Sequence, residues 1–259
     1  MTAKNIRIGK CKSGQPHDFQ MPVPGTAEWV CKDCGERALL PHPGKQQNFL
    51  SSRASIAIYG GAKGAGKSMA LLLETTRHIN NPRFGAVVFR RESPQIYNEG
   101  GLWDTSEKIY PYVRSGKVTT TPVRSRGEWV FPSGAKVRFA HLEYDHDVNA
   151  WDGSQVPLIC FDELTLFTEK QFWYMLTINR STCGVEPYIR CSCNPDADSW
   201  VAELLAWWID QETGLPNYER SGKIRWFVRR DGVLEWADTK AELLRRYPTS
   251  LPKSITFVP

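Results

Sequence analysis

The chain has 259 residues, enough for one large α/β domain and a small appendage, and its 41% hydrophobic and 24% charged residues are ordinary for a soluble globular protein. No apolar run is long enough to span a bilayer and none follows Met1, so the sequence predicts a cytoplasmic protein rather than a membrane or secreted one. The net charge of +5 favours an anionic partner only weakly, and the seven cysteines are more typical of thiols or metal ligands than of disulfides.

The first 42 residues form a segment rich in Cys, His, Gly and Pro that we predict to be a small separate unit. Its cysteines and one histidine follow the spacing C-x5-H-x13-C-x2-C, and four soft ligands of this kind suit tetrahedral Zn²⁺. The candidate zinc ligands are Cys11, His17, Cys31 and Cys34. His42 could replace His17, and a disordered basic tail with incidental cysteines is the alternative interpretation.

Residues 43–259 are predicted to form the main domain, which opens with a short apolar strand at 55–59. A glycine-rich loop follows and fits the phosphate-binding pattern G-x-x-x-x-G-K-[ST] at every specified position. The loop consists of Gly61, Ala62, Lys63, Gly64, Ala65, Gly66, Lys67 and Ser68. Strong helix formers follow from Met69, so the pattern predicts a strand, a loop and a helix N-terminus in that order.

This loop predicts a nucleoside triphosphate site. Gly61, Gly64 and Gly66 let the backbone curl around phosphates, and the backbone N–H groups and helix dipole converge there. Lys67 is expected to reach the β- and γ-phosphates, and the Ser68 hydroxyl to ligate Mg²⁺. The alternative is a glycine-rich turn that matches by chance.

Strands and helices alternate along the rest of the chain, and this alternation favours a mostly parallel sheet with helices on both faces. The predicted strands are residues 85–90, 127–131, 135–142, 156–161, 187–193, 224–228, 233–236 and 251–259. Residues 106–113 are predicted to lie in or near a helix, and helices are predicted near residues 169–179 and at residues 200–210. The expected fold class is therefore α/β.

The apolar strand at 156–161 ends in two carboxylates, Asp162 and Glu163. The carboxyl ends of strands in open α/β sheets bind ligands, so Asp162 is expected to hold Mg²⁺ and Glu163 to act as general base on the attacking water. An acidic pair that caps a helix is the alternative. Consecutive Asp-Glu points towards ATP-driven motors rather than small GTPases or simple kinases.

The strand at 187–193 ends in Asn194, directly before Pro195. An amide at this edge can hydrogen-bond the γ-phosphate or the attacking water. A plain Asn-Pro turn is the alternative.

Seven short motifs in this order resemble the ATPase domain of the large terminase subunit of tailed bacteriophages. They are KQQNFL at 45–50, YGGAKGAGKS at 59–68, VFRRES at 88–93, FPSGA at 131–135, HLE at 141–143, CFDELT at 160–165 and CNP at 193–195. The resemblance implies a P-loop NTPase fold of the ASCE type and an Mg²⁺-dependent ATPase motor that pumps double-stranded DNA into a procapsid. It also implies a homo-oligomeric ring that works with the portal protein and the small terminase subunit in the host cytoplasm, although the isolated domain could be a monomer.

By position in these motifs, Gln46 matches the adenine-contacting glutamine of the family and Asn194 falls in its coupling motif. Lys63 lies where many members carry an arginine in the phosphate loop. Lysine lacks the planar fork of arginine, so this position departs from the family pattern for a charge-stabilising finger.

Arg90 and Arg91 follow a predicted strand and are candidates for a catalytic or inter-subunit arginine. Structural pairing of these arginines with Glu92 or Glu99 is the alternative.

The family normally carries a second, nuclease domain after the ATPase domain, and this chain stops at Pro259, so we expect no nuclease activity from it. Two other functions stay open. One is another ATP-driven nucleic-acid translocase, and the other is a zinc-stabilised DNA- or protein-binding module with a structural nucleotide site.

Overall fold

The computed structural model describes residues 11, 19–20, 28–35, 37–62, 64–115, 118–194 and 196–259. Two residues predicted from the sequence to act in sites, His17 and Lys63, lie outside this described part of the chain. Among the described residues, no helix has the length and apolar character needed to cross a membrane.

The strands fall into a large sheet and two small ones. In chain order they are β1 (Phe19–Gln20), β2 (Glu28–Cys31), β3 (Arg37–Leu39), β4 (Ile56–Tyr59), β5 (Gly85–Arg90), β6 (Arg114–Ser115), β7 (Val118–Thr119), β8 (Thr121–Val123), β9 (Glu128–Val130), β10 (Lys136–His141), β11 (Leu158–Phe161), β12 (Tyr188–Ser192), β13 (Ile224–Arg230), β14 (Val233–Ala237) and β15 (Lys253–Val258). The large sheet has ten strands in the order β14-β13-β15-β4-β12-β11-β5-β10-β9-β8. Strands β15, β4, β12, β11, β5 and β10 are mutually parallel, and antiparallel strands extend the sheet on both sides, which confirms the predicted mostly parallel sheet.

Short helices connect these strands. They are α1 (Lys45–Ser51), α2 (Lys67–Thr75), α3 (Pro94–Tyr97), α4 (Leu102–Glu107), α5 (Glu169–Ile178), α6 (Trp200–Leu204) and α7 (Lys240–Arg246). The capping box of α5 fixes its first turn: the Thr168 hydroxyl accepts from the Gln171 N–H at 3.1 Å, and Gln171 Oε1 accepts from the Thr168 N–H at 3.1 Å.

Both faces of the central strands are buried, because successive side chains of a strand point to opposite faces. On β4, Ala57 belongs to the core that includes Leu71 and Leu72 of α2, whereas Ile58 belongs to the core that includes Phe172 of α5. Helices therefore cover both faces of the sheet, as the sequence predicts for parallel strands built from continuous apolar runs.

Four neighbouring strands bring the sequence motifs to one edge. The strands β4, β12, β11 and β5 are neighbours in the sheet, in that order. The phosphate loop follows β4, Asn194 follows β12, Asp162 follows β11, and β5 ends at Arg90. Because these strands are parallel, their carboxyl ends meet at the same edge of the sheet.

One predicted region is only partly helical, and one predicted helix is wrong in extent. Residues 106–113 do not form one helix: α4 ends at Glu107 and a 3₁₀ turn follows at Tyr110–Tyr112, where Pro111 offers no N–H to an α-helix. The predicted helix 200–210 is interrupted after Leu204 by a 3₁₀ turn at Ala206–Trp208. There the buried Trp208 indole donates to the Lys223 carbonyl at 3.1 Å, so a tertiary contact outweighs helix propensity.

The strands predicted at 224–228 and 233–236 are confirmed as β13 and β14, and they form a hairpin. Strands β13 and β14 pair antiparallel across Asp231 and Gly232, which both have positive φ, at 49° and 85°. Positive φ at both central residues is the geometry of a two-residue hairpin turn that suits the strand twist.

A three-stranded antiparallel sheet, β1-β2-β3, precedes the large sheet along the chain. These strands could not be predicted from the sequence, because runs of two to four residues show no recognisable periodicity.

Candidate active site

The phosphate loop connects β4 to α2 at the carboxyl edge of the large sheet. Gly61, Gly64 and Gly66 have φ values of 135°, 83° and 71°, which side chains with a Cβ rarely adopt. The loop turns directly into α2, whose first residue is Lys67. The backbone therefore takes the predicted strand–loop–helix path, with the N-terminus of α2 facing the loop.

The Lys67 side chain folds over the loop. Its ammonium group donates to the carbonyl oxygens of Gly61 at 2.6 Å and Ala62 at 2.7 Å. Burial lowers the pKa of Lys67, and the nearby Cys193, Asp162 and Glu163 act in the opposite direction. The ammonium thus lies between the loop and the acidic pair.

Asp162 joins the loop to the acidic strand end. Its Oδ1 accepts from the Ser68 hydroxyl at 3.1 Å and from the Ser192 hydroxyl at 2.5 Å. The residue is fully buried, and its Oδ2 faces the Arg90 guanidinium. A hydroxyl and a carboxylate oxygen as close as Ser68 Oγ and Asp162 Oδ1 are the kind of hard-oxygen donors that Mg²⁺ prefers.

Glu163 adopts a strained backbone conformation directly after Asp162. Its φ and ψ of 64° and 61° lie in the left-handed region, which costs a residue other than glycine on the order of 1–3 kcal/mol. The conformation is held by the Glu163 N–H, which donates to the Ser192 hydroxyl at 2.8 Å. Such strain persists where neighbours fix it, and it is typical of active sites.

Arg90 links the two acids. From the end of β5 its guanidinium lies 2.7 Å from Asp162 Oδ2 and 3.1 Å from Glu163 Oε2. The pairing considered from the sequence, with Glu92 or Glu99, is therefore not the one that the structure has. Arg90 instead fixes the separation and orientation of the two carboxylates.

Arg91 has different contacts. It donates to the Leu142 carbonyl at 3.1 Å and to Gln171 Oε1 at 2.8 Å, and so ties the end of β10 to α5. The structure thus separates the two adjacent arginines: only Arg90 contacts the acidic pair.

Asn194 follows β12 at the same edge. Its side-chain oxygen is buried and accepts no hydrogen bond from a described residue. The residue borders a cavity of about 800 Å³ whose lining also includes Gly60, Cys193, Asp196 and Phe257. Burial raises the pKa of the Cys193 thiol to about 12, so that thiol is neutral beside Lys67.

Gln46 is buried against the phosphate loop. Its side-chain amide donates to the Gly66 carbonyl at 3.1 Å, and its Oε1 accepts from the His42 N–H at 2.5 Å. On the same helix, Phe49 stacks on Tyr59 with ring centroids 5.2 Å apart. Helix α1 therefore supports the loop from outside.

The amino-terminal cysteines are brought together as predicted. The sulfurs of Cys11, Cys31 and Cys34 all lie within 4.8 Å of one another. The fourth predicted ligand, His17, lies outside the described residues.

Sequence reasoning missed Ser192, which bonds both acids of the site. The only signal was its place two residues before Asn194, since a serine at a strand end is otherwise unremarkable. Its role depends on the pairing of β12 with β11, which puts Ser192 beside Asp162 and Glu163.

Residues 58–254 match the family described as terminase large subunit, T4likevirus-type, N-terminal. No curated protein matches the chain.

Three solved structures match the chain at low identity. The large terminase of a thermophilic bacteriophage is 13% identical, with a TM-score of 0.49, over 68% of this chain and 45% of that chain. The large terminase ATPase domain of Thermus phage P74-26 is 13% identical, with a TM-score of 0.43, over 66% of this chain and 71% of that one. The N-terminal domain of the DNA packaging ATPase of bacteriophage phi29 is 15% identical, with a TM-score of 0.45, over 73% and 92%. The match thus spans less than half of the first of these three chains.

Proposed function

The chain belongs to the family of T4-like terminase large-subunit N-terminal domains, and from this premise we propose that it is the Mg²⁺-dependent ATPase domain of a viral DNA-packaging motor. One observation carries the proposal. The Ser68 hydroxyl, at the start of α2, donates to Asp162 Oδ1 at 3.1 Å, across 94 residues of sequence. This contact joins the phosphate loop to the acidic strand end, and a hydrolytic site needs both.

The phosphates of ATP would lie in the glycine loop, against its backbone N–H groups and the N-terminus of α2. Lys67 would exchange its bonds to the Gly61 and Ala62 carbonyls for the β- and γ-phosphate oxygens.

Ser68 and Asp162 would hold Mg²⁺, because the Ser68 hydroxyl and Asp162 Oδ1 are hard oxygens only 3.1 Å apart. Bound there, the metal would neutralise charge on the β- and γ-phosphates. The Arg90 guanidinium beside Oδ2 adds positive charge to the same carboxylate.

Glu163 would act as general base. Its carboxylate takes a proton from water, the water oxygen bonds to the γ-phosphorus, and the bond from that phosphorus to the β–γ bridging oxygen breaks to release ADP and phosphate. Arg90 positions the base through its 3.1 Å contact with Glu163 Oε2. Asn194, whose side-chain oxygen lacks a described partner, would accept a hydrogen bond from the attacking water.

Two further roles rest on the resemblance. Gln46 would contact adenine with the groups that Gly66 and His42 leave available. Lys63 would stabilise charge on the transferred phosphoryl group. Of the two adjacent arginines we assign Arg90 to the site and Arg91 to support of α5, because only Arg90 reaches the acids.

In the whole machine this domain would act in a homo-oligomeric ring on double-stranded DNA, with the portal protein and the small terminase subunit, in the host cytoplasm. These partners follow from the proposed membership of a packaging motor, and the hydrolytic site would supply its energy.

Glu163→Gln separates binding from hydrolysis. The variant keeps the shape of the side chain and removes the base, so we expect ATP turnover to fall by about 10²–10⁴ while binding of a fluorescent ATP analogue is retained. Glu242→Gln on α7, which removes an exposed carboxylate paired with Arg246, is the matched control and should hydrolyse ATP at the wild-type rate.

Turnover should be followed by phosphate release with and without Mg²⁺. Unchanged hydrolysis in Glu163→Gln would remove the assigned base. Failure of the folded wild-type chain to bind nucleotide would remove the proposed function altogether.

A further inference from the structure

Three cysteine sulfurs converge beside the small amino-terminal sheet. Cys11 and Cys31 have their Sγ atoms 3.9 Å apart, and Cys34 Sγ lies within 4.8 Å of both. Cys11 and Cys31 are 4% and 1% exposed, so water barely reaches these thiols. The cluster lies outside the candidate active site and takes no part in the proposed hydrolysis.

The backbone between Cys31 and Cys34 makes the tight turn that points two sulfurs to one side. Cys31 ends β2, the turn follows, and the Gly35 N–H donates back to the Cys31 carbonyl at 2.8 Å. Gly35 has a φ of 71°, where a glycine is favoured. Strand β1 then pairs with β2 and brings Phe19 opposite Cys31, which closes the sheet around the turn.

The spacing of the sulfurs fits a metal better than a disulfide. A disulfide needs an S–S length of about 2.05 Å, roughly half of the 3.9 Å between Cys11 and Cys31. Two thiolates on tetrahedral zinc with Zn–S bonds of about 2.3 Å lie about 3.8 Å apart. The observed distance is therefore that of one edge of a zinc tetrahedron.

The size of the sheet gives such a metal a role. Its strands have two, four and three residues, too few to bury a core that stabilises the unit alone. The Trp29 indole, on β2, donates to the Leu40 carbonyl at 3.0 Å, just after β3. A metal bound by residues from three parts of this segment would supply folding free energy that its apolar contacts lack.

We propose that Cys11, Cys31 and Cys34 bind one structural Zn²⁺ as thiolates, with His17 as the fourth ligand. The three thiolates rest on the geometry above, and His17 rests on its sequence spacing from Cys11 and Cys31. The site is independent of nucleotide hydrolysis, so either proposal can fail without the other.

Metal content of the full chain tests the thiolates. We expect about one zinc per chain by mass spectrometry in protein purified without chelator or metal-affinity resin, and its loss in Cys34→Ser. Cys183→Ser is the matched control, because Cys183 is a buried cysteine of the large domain whose neighbour is the Ser181 hydroxyl at 3.3 Å. That variant should keep its zinc.

Cobalt gives a second measurement that does not depend on the variant folding. Wild-type chain reconstituted with Co²⁺ should show thiolate-to-cobalt charge transfer and the intense bands of tetrahedral coordination. Less than about half a zinc per chain together with no such spectrum would overturn the site. Equal zinc in Cys34→Ser and Cys183→Ser would overturn it too.

The fourth ligand is tested by a pair of histidine variants. His17→Ala should release zinc to a chelator concentration that leaves the wild type loaded, whereas His42→Ala should not. The opposite result would transfer the fourth position to His42 and overturn the assignment of His17.

Discussion

Two clusters of arginine and carboxylate lie at opposite edges of the same sheet. At the carboxyl edge, Arg90 pairs with Asp162 and Glu163. At the other edge, Arg190 on β12 lies 3.9 Å from Glu74 near the end of α2. In the first cluster the arginine joins β5 to the residues after β11, and in the second it joins β12 to α2. Since both clusters have such ion pairs, an ion pair alone does not mark a functional site.

The clusters differ in how far solvent reaches their carboxylates. Both oxygens of Glu74 accept from Arg77, whose Nε and Nη2 donate at 2.6 Å and 2.7 Å in a bidentate pair, and the Glu74 side chain is 0% exposed. Arg90 is shared between Asp162 and Glu163, and the Glu163 side chain is 30% exposed. A carboxylate that solvent reaches beside a glycine loop can act on water, whereas a fully enclosed carboxylate can only stabilise the fold.

Arg190 is the residue whose loss should cost the most free energy. Its guanidinium donates to the carbonyls of Ser52 at 3.0 Å and Ala54 at 3.1 Å, and its side chain is 4% exposed. We expect Arg190→Gln to lower the free energy of unfolding by about 3 kcal/mol or more, because buried acceptors and Glu74 lose a partner. Urea unfolding measures this, with the exposed Arg53→Gln as control. Equal midpoints for the two variants would show that the far cluster does not stabilise the fold.

Arg90 should show the opposite pattern. We expect Arg90→Gln to lower kcat for ATP by about 10²-fold, since the base and the metal-binding carboxylate lose the group that positions them. The Kd of an ATP analogue should change little, because the loop and Lys67 are untouched. The exposed Arg83→Gln is the matched control. If Arg91→Gln lowers kcat as far as Arg90→Gln does, the division between the two arginines is wrong.

Ser192 and Ser254 each accept a hydrogen bond from a backbone N–H, but only Ser192 lies at the candidate active site. Ser192 accepts the Glu163 N–H at 2.8 Å, and Ser254 accepts the Ser55 N–H at 2.9 Å. Removing either hydroxyl leaves a partly buried N–H without its partner, which costs up to about 1–3 kcal/mol. We therefore expect both alanine variants to be destabilised in urea, and only Ser192→Ala to lose ATP turnover. Equal turnover in the two variants would contradict a special role for the strained Glu163.

His78 should give a small pH effect at the far edge. Burial, reinforced by Arg77 and then by Arg190, lowers the pKa of His78 below its ordinary 6.5, while Glu74 opposes the shift. The unfolded chain then binds the proton at higher pH than the folded chain, so stability falls as pH drops through 6.5 towards the folded pKa.

Between about pH 8 and about pH 5, the melting temperature of His78→Phe should fall less than that of the wild type, because phenylalanine binds no proton in the unfolded chain. The phenyl ring keeps the contacts with Phe84 and Tyr188, whose centroids lie 5.3 Å and 5.9 Å from the imidazole. Parallel melting curves over this pH range would show that His78 does not contribute.

Much of the site could be predicted from sequence, because its parts follow strands. A glycine pattern, an apolar strand ending in Asp162 and a strand ending in Asn194 suffice once parallel pairing puts their ends at one edge. The choice between Arg90 and Arg91 could not be made this way. Adjacent residues at a strand end point to opposite sides, and only the register of β5 with β11 decides which side holds the acids.

Other features were beyond sequence because they depend on tertiary contacts. Ser192 acts through its position beside Asp162, and the interrupted helix after Leu204 follows the burial of Trp208. Among the candidate zinc ligands, some could be recognised from sequence and one needed the tertiary structure. The spacing of Cys31 and Cys34 could be recognised directly, whereas the approach of Cys11 required the fold of the small sheet.

The central claim is that the glycine loop and the acidic pair bind Mg²⁺ and a nucleoside triphosphate, and calorimetric titration with a non-hydrolysable ATP analogue tests it most directly. We predict uptake of about one molecule per wild-type chain in Mg²⁺ and loss of that uptake in Lys67→Ala, with the exposed Lys108→Ala as control. No uptake by folded wild-type protein, or equal uptake by the wild type and Lys67→Ala, would contradict it.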